Sequence, residues 1–171
     1  MSYNPNGSGF WWNGSNITDY LIVNPFSHPT TAVTYEYWIK PDSGYAGVSN
    51  SAYLSYATTG VDNMSIIINN AATGYLSVYV NAVTVDTTYP TSSYADGVWK
   101  HIVRTSNRTS GAEILYVNGV PVWSGTLSAG TNFVAGGSLV IGQEQDSVGG
   151  TFDPAQCFKG NIGSVKIYNR V

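Results

Sequence analysis

Glu113-Ile114-Leu115-Tyr116-Val117-Asn118-Gly119-Val120-Pro121-Val122-Trp123 is the stretch on which the fold turns. Two β-rich runs flank an Asn-Gly pair, and Asn-Gly supplies the two positive φ angles that a two-residue type I′ turn demands. The segment therefore reads as an antiparallel β-hairpin. Pro121 has no N–H to give to a ladder, so its strand belongs at an edge or a bulge.

The same strand pattern extends in both directions. Upstream, Val98 to Arg104 alternates, Gly74 to Val80 alternates, and Ser51 to Thr58 and Met64 to Asn69 are further strands. Thr84 to Thr88 is a weaker strand, and Tyr89 to Gly97 reads as a loop. Thr31 to Lys40 places Val33, Tyr35, Tyr37 and Ile39 on one face and Trp38 on the other. Two short strands open the chain, Gly9 to Gly14 and Asp19 to Val23, joined by an Asn/Gly/Ser turn. Downstream, Ser138 to Ile141 is a buried strand and Asn161 to Asn169 an amphipathic one. With no amphipathic helix of useful length, a dozen short strands at regular spacing predict an all-β fold. Its form is a two-sheet antiparallel β-sandwich.

Composition narrows the function. At 171 residues the chain predicts a single domain over 1–171 with a sizeable core. Aromatic residues make up 13 % and the net charge is −3, which excludes a disordered chain. Seven basic residues give no electrostatic footprint for nucleic acid, and no apolar run reaches the roughly 20 residues of a membrane helix. The start carries no charged and apolar leader, so no signal peptide is visible. The single Cys157 has no internal disulfide partner and is expected to pack beneath a loop.

Chemistry concentrates in Gly142 to Gln156. Three of the ten carboxylates, Glu144, Asp146 and Asp153, sit in this loop beside the amides of Gln145 and Gln156, with no local Lys or Arg. Carboxylate and amide oxygens at close spacing suit Ca²⁺, which takes roughly 6–8 oxygen ligands. Gly149-Gly150 allows the reversal that returns Asp153 and Gln156 toward Glu144 and Asp146. The bland alternative is a polar loop whose side chains cap turns.

From Trp99-Lys100-His101 through the Asn118-Gly119 hairpin to Asn161–Tyr168, the chain resembles the laminin-G and pentraxin branch of concanavalin-A-like jelly rolls. It is most similar to pentraxins. Leu139 to Ser147, Gly149-Gly150, Phe152, Gln156 and Gly160 stand in the register of their calcium loop. Ser55-Tyr56-Ala57-Thr58 followed by Asp62-Asn63 resembles their other ligand-bearing segment.

The resemblance implies two Ca²⁺ ions. Asp62, Asn63, Glu144, Asp146 and the Gln145 main-chain carbonyl would hold the inner one. Glu144 and Asp146 would bridge to an outer one shared with Asp153 and Gln156. Three departures stand out. Asp153 replaces a Glu, Val103 occupies what resembles a half-cystine position, and Ile68, Val78 and Val83 fall where phosphocholine is contacted. Val83 replaces the acidic partner of the choline cation, which predicts poor phosphocholine binding through an apolar wall.

The implied function is a non-catalytic, calcium-dependent, lectin-like module for glycan or anionic and phosphoryl ligands. It would act outside the cell or on a cell or virion surface, and as a possible homo-oligomer. The rival is a structural or adhesive piece of a larger assembly with structural calcium. A glycoside hydrolase is the minor alternative, since Glu144-Gln145-Asp146 is not followed by a second Glu to complete an acid and nucleophile pair. His28 and His101 read as structural, and Tyr45, Tyr94 and Trp123 as loop aromatics that either simply pack or stack on a sugar face.

Overall fold

The computed structural model describes residues 2–3, 10–13, 17–44 and 50–171, without the side chains of Ser2, Tyr3, Trp11, Asn13 and Asn63. Tyr45 lies outside the described residues.

The strands are β1 Ser2–Tyr3, β2 Phe10–Asn13, β3 Leu21–Phe26, β4 Ala32–Pro41, β5 Ser51–Thr58, β6 Val61–Asn70 and β7 Tyr75–Val80. They continue with β8 Val83–Pro90, β9 Lys100–Asn107, β10 Ala112–Val117, β11 Val120–Thr126, β12 Gly137–Ile141 and β13 Lys159–Tyr168. A single helical turn, α1, spans Thr91–Tyr94, and a 3₁₀ turn spans Pro154–Gln156.

These form two antiparallel sheets: β1-β2-β13-β4-β9-β10-β11 and β3-β12-β5-β6-β7-β8. The fold is a β-sandwich of jelly-roll type, as its alternating strands predict. The β10–β11 hairpin turns through Asn118 and Gly119 at φ 52° and 78°, and β11 is an edge strand. A register shift falls between Leu115 and Tyr116, the latter paired with Pro121, so the proline sits where an edge and a bulge tolerate it.

The core lies between the sheets. Val33, Tyr35, Tyr37 and Ile39 of β4 face Tyr53, Ile67, Leu76, Val78 and Val80 of the other sheet. Arg104 crosses this interior, its Nε 2.9 Å from Glu113 Oε2 and its Nη2 donating to the Tyr79 carbonyl at 3.3 Å. Such a buried charge is tolerable because it is paired and hydrogen-bonded.

Two sequence expectations change. The opening strands do not pair with each other: β2 joins β13 and β3 joins β12, so the chain crosses between sheets there. Tyr89 to Gly97 is not all loop, since β8 runs to Pro90 and α1 follows directly.

Candidate functional site

The loop that leaves β12 folds over the outer face of the β5–β6–β7 sheet. It begins at Gly142 with φ +93°, where a Cβ would stand 2.0 Å from Trp12 Nε1. Glycine alone suits both that conformation and that approach. The Gly142 N–H donates to the Tyr53 carbonyl and the Phe158 N–H donates to the Gly142 carbonyl, each at 3.0 Å. Both ends of the loop are thereby closed onto β5.

Alternation then sorts the side chains. Gln143 and Gln145 turn inward. Gln145 Nε2 donates to Ser55 O, Ser55 Oγ and Ser138 O at 3.1, 2.9 and 3.2 Å, while its Oε1 accepts from the Gly149 N–H at 2.8 Å. Ser55 Oγ donates in turn to the Gln143 carbonyl at 2.8 Å. Gln143 Nε2 donates to the Asp19 carbonyl at 3.2 Å, and Cys157 Sγ donates to Gln143 Oε1 at 3.0 Å, so Cys157 packs beneath the loop as expected. The Gln145 side chain is thus structural.

Glu144 and Asp146 take the opposite direction. With Ile68, Tyr79, Asn50 and Gln156 they line a cleft of about 90 Å³. Asp146 also borders a second cleft of about 430 Å³, whose lining includes Asp62. Glu144 is 5 % exposed. Burial first, then the charges of Asp146 and Asp62, push its carboxyl up to about 7. Its Oε2 and the Oε1 of Gln156 are buried without a hydrogen-bond partner among the described residues.

Orphaned buried oxygens on a carboxylate and an amide, next to two more carboxylates, are a costly arrangement without a cation. The donors are all oxygen, which fits Ca²⁺ and not a thiophilic metal. Among the described residues no group of three His, Cys, Asp or Glu side chains stands at metal-ligating separation. Amide and main-chain oxygens must therefore complete any shell. The Asn63 side chain lies outside the described residues.

Asp153 is placed differently. It is exposed, its Oδ1 accepts from the Ala155 N–H at 2.8 Å, and its carbonyl accepts from the Gln156 N–H at 2.9 Å. It caps the 3₁₀ turn that carries Gln156 and lies outside the cleft lining.

The apolar wall expected from Ile68, Val78 and Val83 does not form. Ile68 does line the cleft. Val78 pairs with Ile67 and is fully buried between the sheets, because β7 alternates the other way. Val83 pairs with the core residue Val80 at the hairpin end and is half exposed there. The wall residue that sequence reading missed is Tyr79, which packs with Ala52, Ile66 and Ile68 on the outer face. The period-two pattern Leu76, Val78, Val80 against Ser77 and Tyr79 carried that signal.

Across the same outer face Ile68 pairs with Ser77 and Ser77 with Asp86, and the Ser77 hydroxyl donates to the Asp86 carboxylate. The face therefore carries an anion in Asp86, outside the lining of the cleft, although Val83 itself is apolar. Of the loop aromatics, Tyr94 is buried on α1, and Trp123 packs against the core from β11. Neither is open as a sugar platform.

Comparison with known proteins agrees with this architecture. The "Pentaxin family" model matches residues 10–171. The rat sushi, von Willebrand factor type A, EGF and pentraxin domain-containing protein 1 is 32 % identical over 98 % of the chain, which spans 4 % of that protein. Human serum amyloid P-component is 29 % identical over 96 % of the chain and 71 % of its own length. A heptameric serum-amyloid-P-like pentraxin of Limulus polyphemus superposes with a TM-score of 0.75 at 24 % identity, covering 94 % and 75 % of the two chains. Mouse laminin α1 domains LG4-5 superpose at 0.68 with 17 % identity, over 94 % of this chain and 40 % of that one. A family model over nearly the whole length, and a relative 32 % identical over 98 % of the chain, lead to one assignment: the chain belongs to the pentraxin family.

Proposed function

We propose that this pentraxin domain is a non-catalytic recognition module whose ligand is taken up through bound Ca²⁺. The observation that carries the reading is a pair of buried oxygens, Glu144 Oε2 and Gln156 Oε1, without a partner among the described residues, in a cleft shared with Asp146 and bordered by Tyr79. Glu144, Asp146, Asp62, Gln156 and the Gln145 carbonyl would hold calcium. Asn63 would join them by the family register, and two ions fit the family pattern. Calcium there would neutralise the crowded carboxylates and offer open coordination positions to ligand oxygens. The ligand class is a glycan or an anionic or phosphoryl group, with Tyr79 and Ile68 as its apolar support. Carboxylates committed to calcium are not free to act as an acid and nucleophile pair, which supports a binding role over hydrolysis. Secretion and homo-oligomer formation follow the relatives, of which the Limulus protein is a heptamer.

The test is binding to an array of acidic and neutral glycans and phosphorylated head groups, in calcium and again in EDTA. Retention in calcium, release by EDTA, and loss of both in Glu144→Gln are expected. Calcium uptake with no calcium-dependent ligand would point to the structural role instead.

A further inference from the structure

We propose a second ligand site on the opposite face of the sandwich, a slot between Trp38 and Trp99 that takes the ring face of an uncharged sugar residue without calcium.

Strand alternation builds the slot. On β4 the buried face carries Val33, Tyr35, Tyr37 and Ile39, which leaves Trp38 outward and 43 % exposed. Trp38 pairs with His101 of β9, so the two share that outer face, and Trp99, just ahead of β9, lines the same cleft. The Trp38 and His101 rings lie 4.9 Å apart at 31°, which fixes the indole in place.

The other flank is β13. Ile162 pairs with Ile39 and Val165 with Tyr37, so Gly163 and Ser164 together stand opposite Trp38 where one residue would normally lie. A bulge leaves its extra residue out of the ladder. Because one of the two residues has no side chain and the other a short one, the sheet is hollow there. The cleft measures about 410 Å³ and is lined by Trp38, Trp99, Gly163 and Ser164. That volume falls within the roughly 300–1,000 Å³ of small-ligand sites, which combine aromatic walls with a few polar groups.

Charge selects the occupant. The carboxylate on this face of β4, Glu36, is already engaged by Lys166 Nζ at 3.3 Å, His101 Nε2 at 3.4 Å and the Tyr168 hydroxyl at 2.8 Å. A cationic ligand therefore finds its counter-charge already compensated. A neutral pyranose suits the slot: its C–H face lies on an indole, and its hydroxyls meet the Ser164 hydroxyl and the bulge backbone. A second protein copy is a poorer occupant, since a standard interface buries about 800 Å² per partner and the cleft of about 410 Å³ is of small-ligand size.

The site is independent of the calcium cleft, so the experiment runs in EDTA. Tryptophan indole N–H signals are followed by NMR while maltohexaose, cellohexaose, xylohexaose and mannohexaose are added in turn. At least one saccharide should shift two indole signals saturably. Trp38→Ala should weaken that saccharide by about tenfold or more, the loss of one stacked aromatic. Ser164→Trp, which fills the slot from β13 and leaves Trp38 in place, should block it too, and Glu144→Gln should leave it intact. The proposal is overturned if no saccharide shifts the indoles up to its solubility limit, or if binding survives both slot variants. It also fails if sedimentation shows a wild-type dimer that Trp38→Ala converts to monomer.

Discussion

His28 shows how a side chain of no catalytic promise governs stability. It is 3 % exposed, stacked on Tyr56 at 4.1 Å, with Nδ1 2.6 Å from the Pro29 carbonyl and Nε2 2.6 Å from the Tyr35 hydroxyl. Burial lowers its pKa to about 4; the Pro29 bond partly offsets this and the Arg104 charge adds to the lowering. The folded state thus holds fewer protons than the unfolded one between its pKa of about 4 and the free value of 6.5. The stability His28 contributes is complete above 6.5 and is lost as the pH falls toward 4. At 1.36 kcal/mol per unit the loss approaches roughly 3 kcal/mol. Urea titrations at neutral and acid pH should show this slope in the wild type and a flatter one in His28→Gln; parallel slopes would reject it. Asp153 yields a second prediction at this scale. If it acts by capping, Asp153→Asn keeps the cap and should retain calcium affinity, whereas Asp153→Ala should lose about 1 kcal/mol of stability and loosen Gln156. Calorimetry that finds Asn as damaging as Ala would make Asp153 a calcium ligand instead.

Among the elements, the loop from Gly142 to Phe158 depends on its first residue. Gly142→Ala would drive a methyl into the buried Trp12 indole and force an L-residue to φ +93°. Overpacking costs about 1–3 kcal/mol and the left-handed backbone about 1–2, so a total of roughly 2–5 kcal/mol is expected in the denaturant midpoint. A neutral result would mean that the loop is not clamped at β5. The elements also show how far the sequence could be read. The Asn118-Gly119 turn and the inward face of β4 were legible because each is a local pattern with one physical solution. The pairing of β2 with β13 and of β3 with β12 was not, because those partners are more than a hundred residues distant and no local signal encodes them. Glu144, Asp146 and Gln156, singled out by donor chemistry and family register, line one cleft. Val78 was misplaced because a one-residue slip in the register carried from relatives turns every side chain of a strand to the other face. The capping bond of Asp153 is visible in three dimensions alone, and its part in holding calcium is what the Asn and Ala variants test.

For the molecule as a whole, calcium held in the crowded cleft would couple protons to folding. Without calcium, Glu144 holds its proton up to about 7, against a free value of 4.5. A carboxyl whose folded pKa is raised stabilises the fold below the unfolded value, and that stability is lost as the pH rises through the folded value. In EDTA this contribution should therefore fall between pH 4.5 and 7, opposite in sign to that of His28. Calcium must displace the Glu144 proton to use its oxygens, so its apparent affinity should rise by up to about tenfold per pH unit below 7 and level off above. At a hundredfold excess over Kd the ion stabilises the fold by about 2.7 kcal/mol. For a chain of this size that raises the melting temperature by roughly 5–10 °C. Melts in calcium and in EDTA at matched ionic strength, repeated from pH 5 to 8, check both claims. A gap between the curves that widens with pH and closes in Glu144→Gln is expected. A gap of constant width would show that Glu144 is not displaced by the ion, and coincident curves would remove calcium from the site.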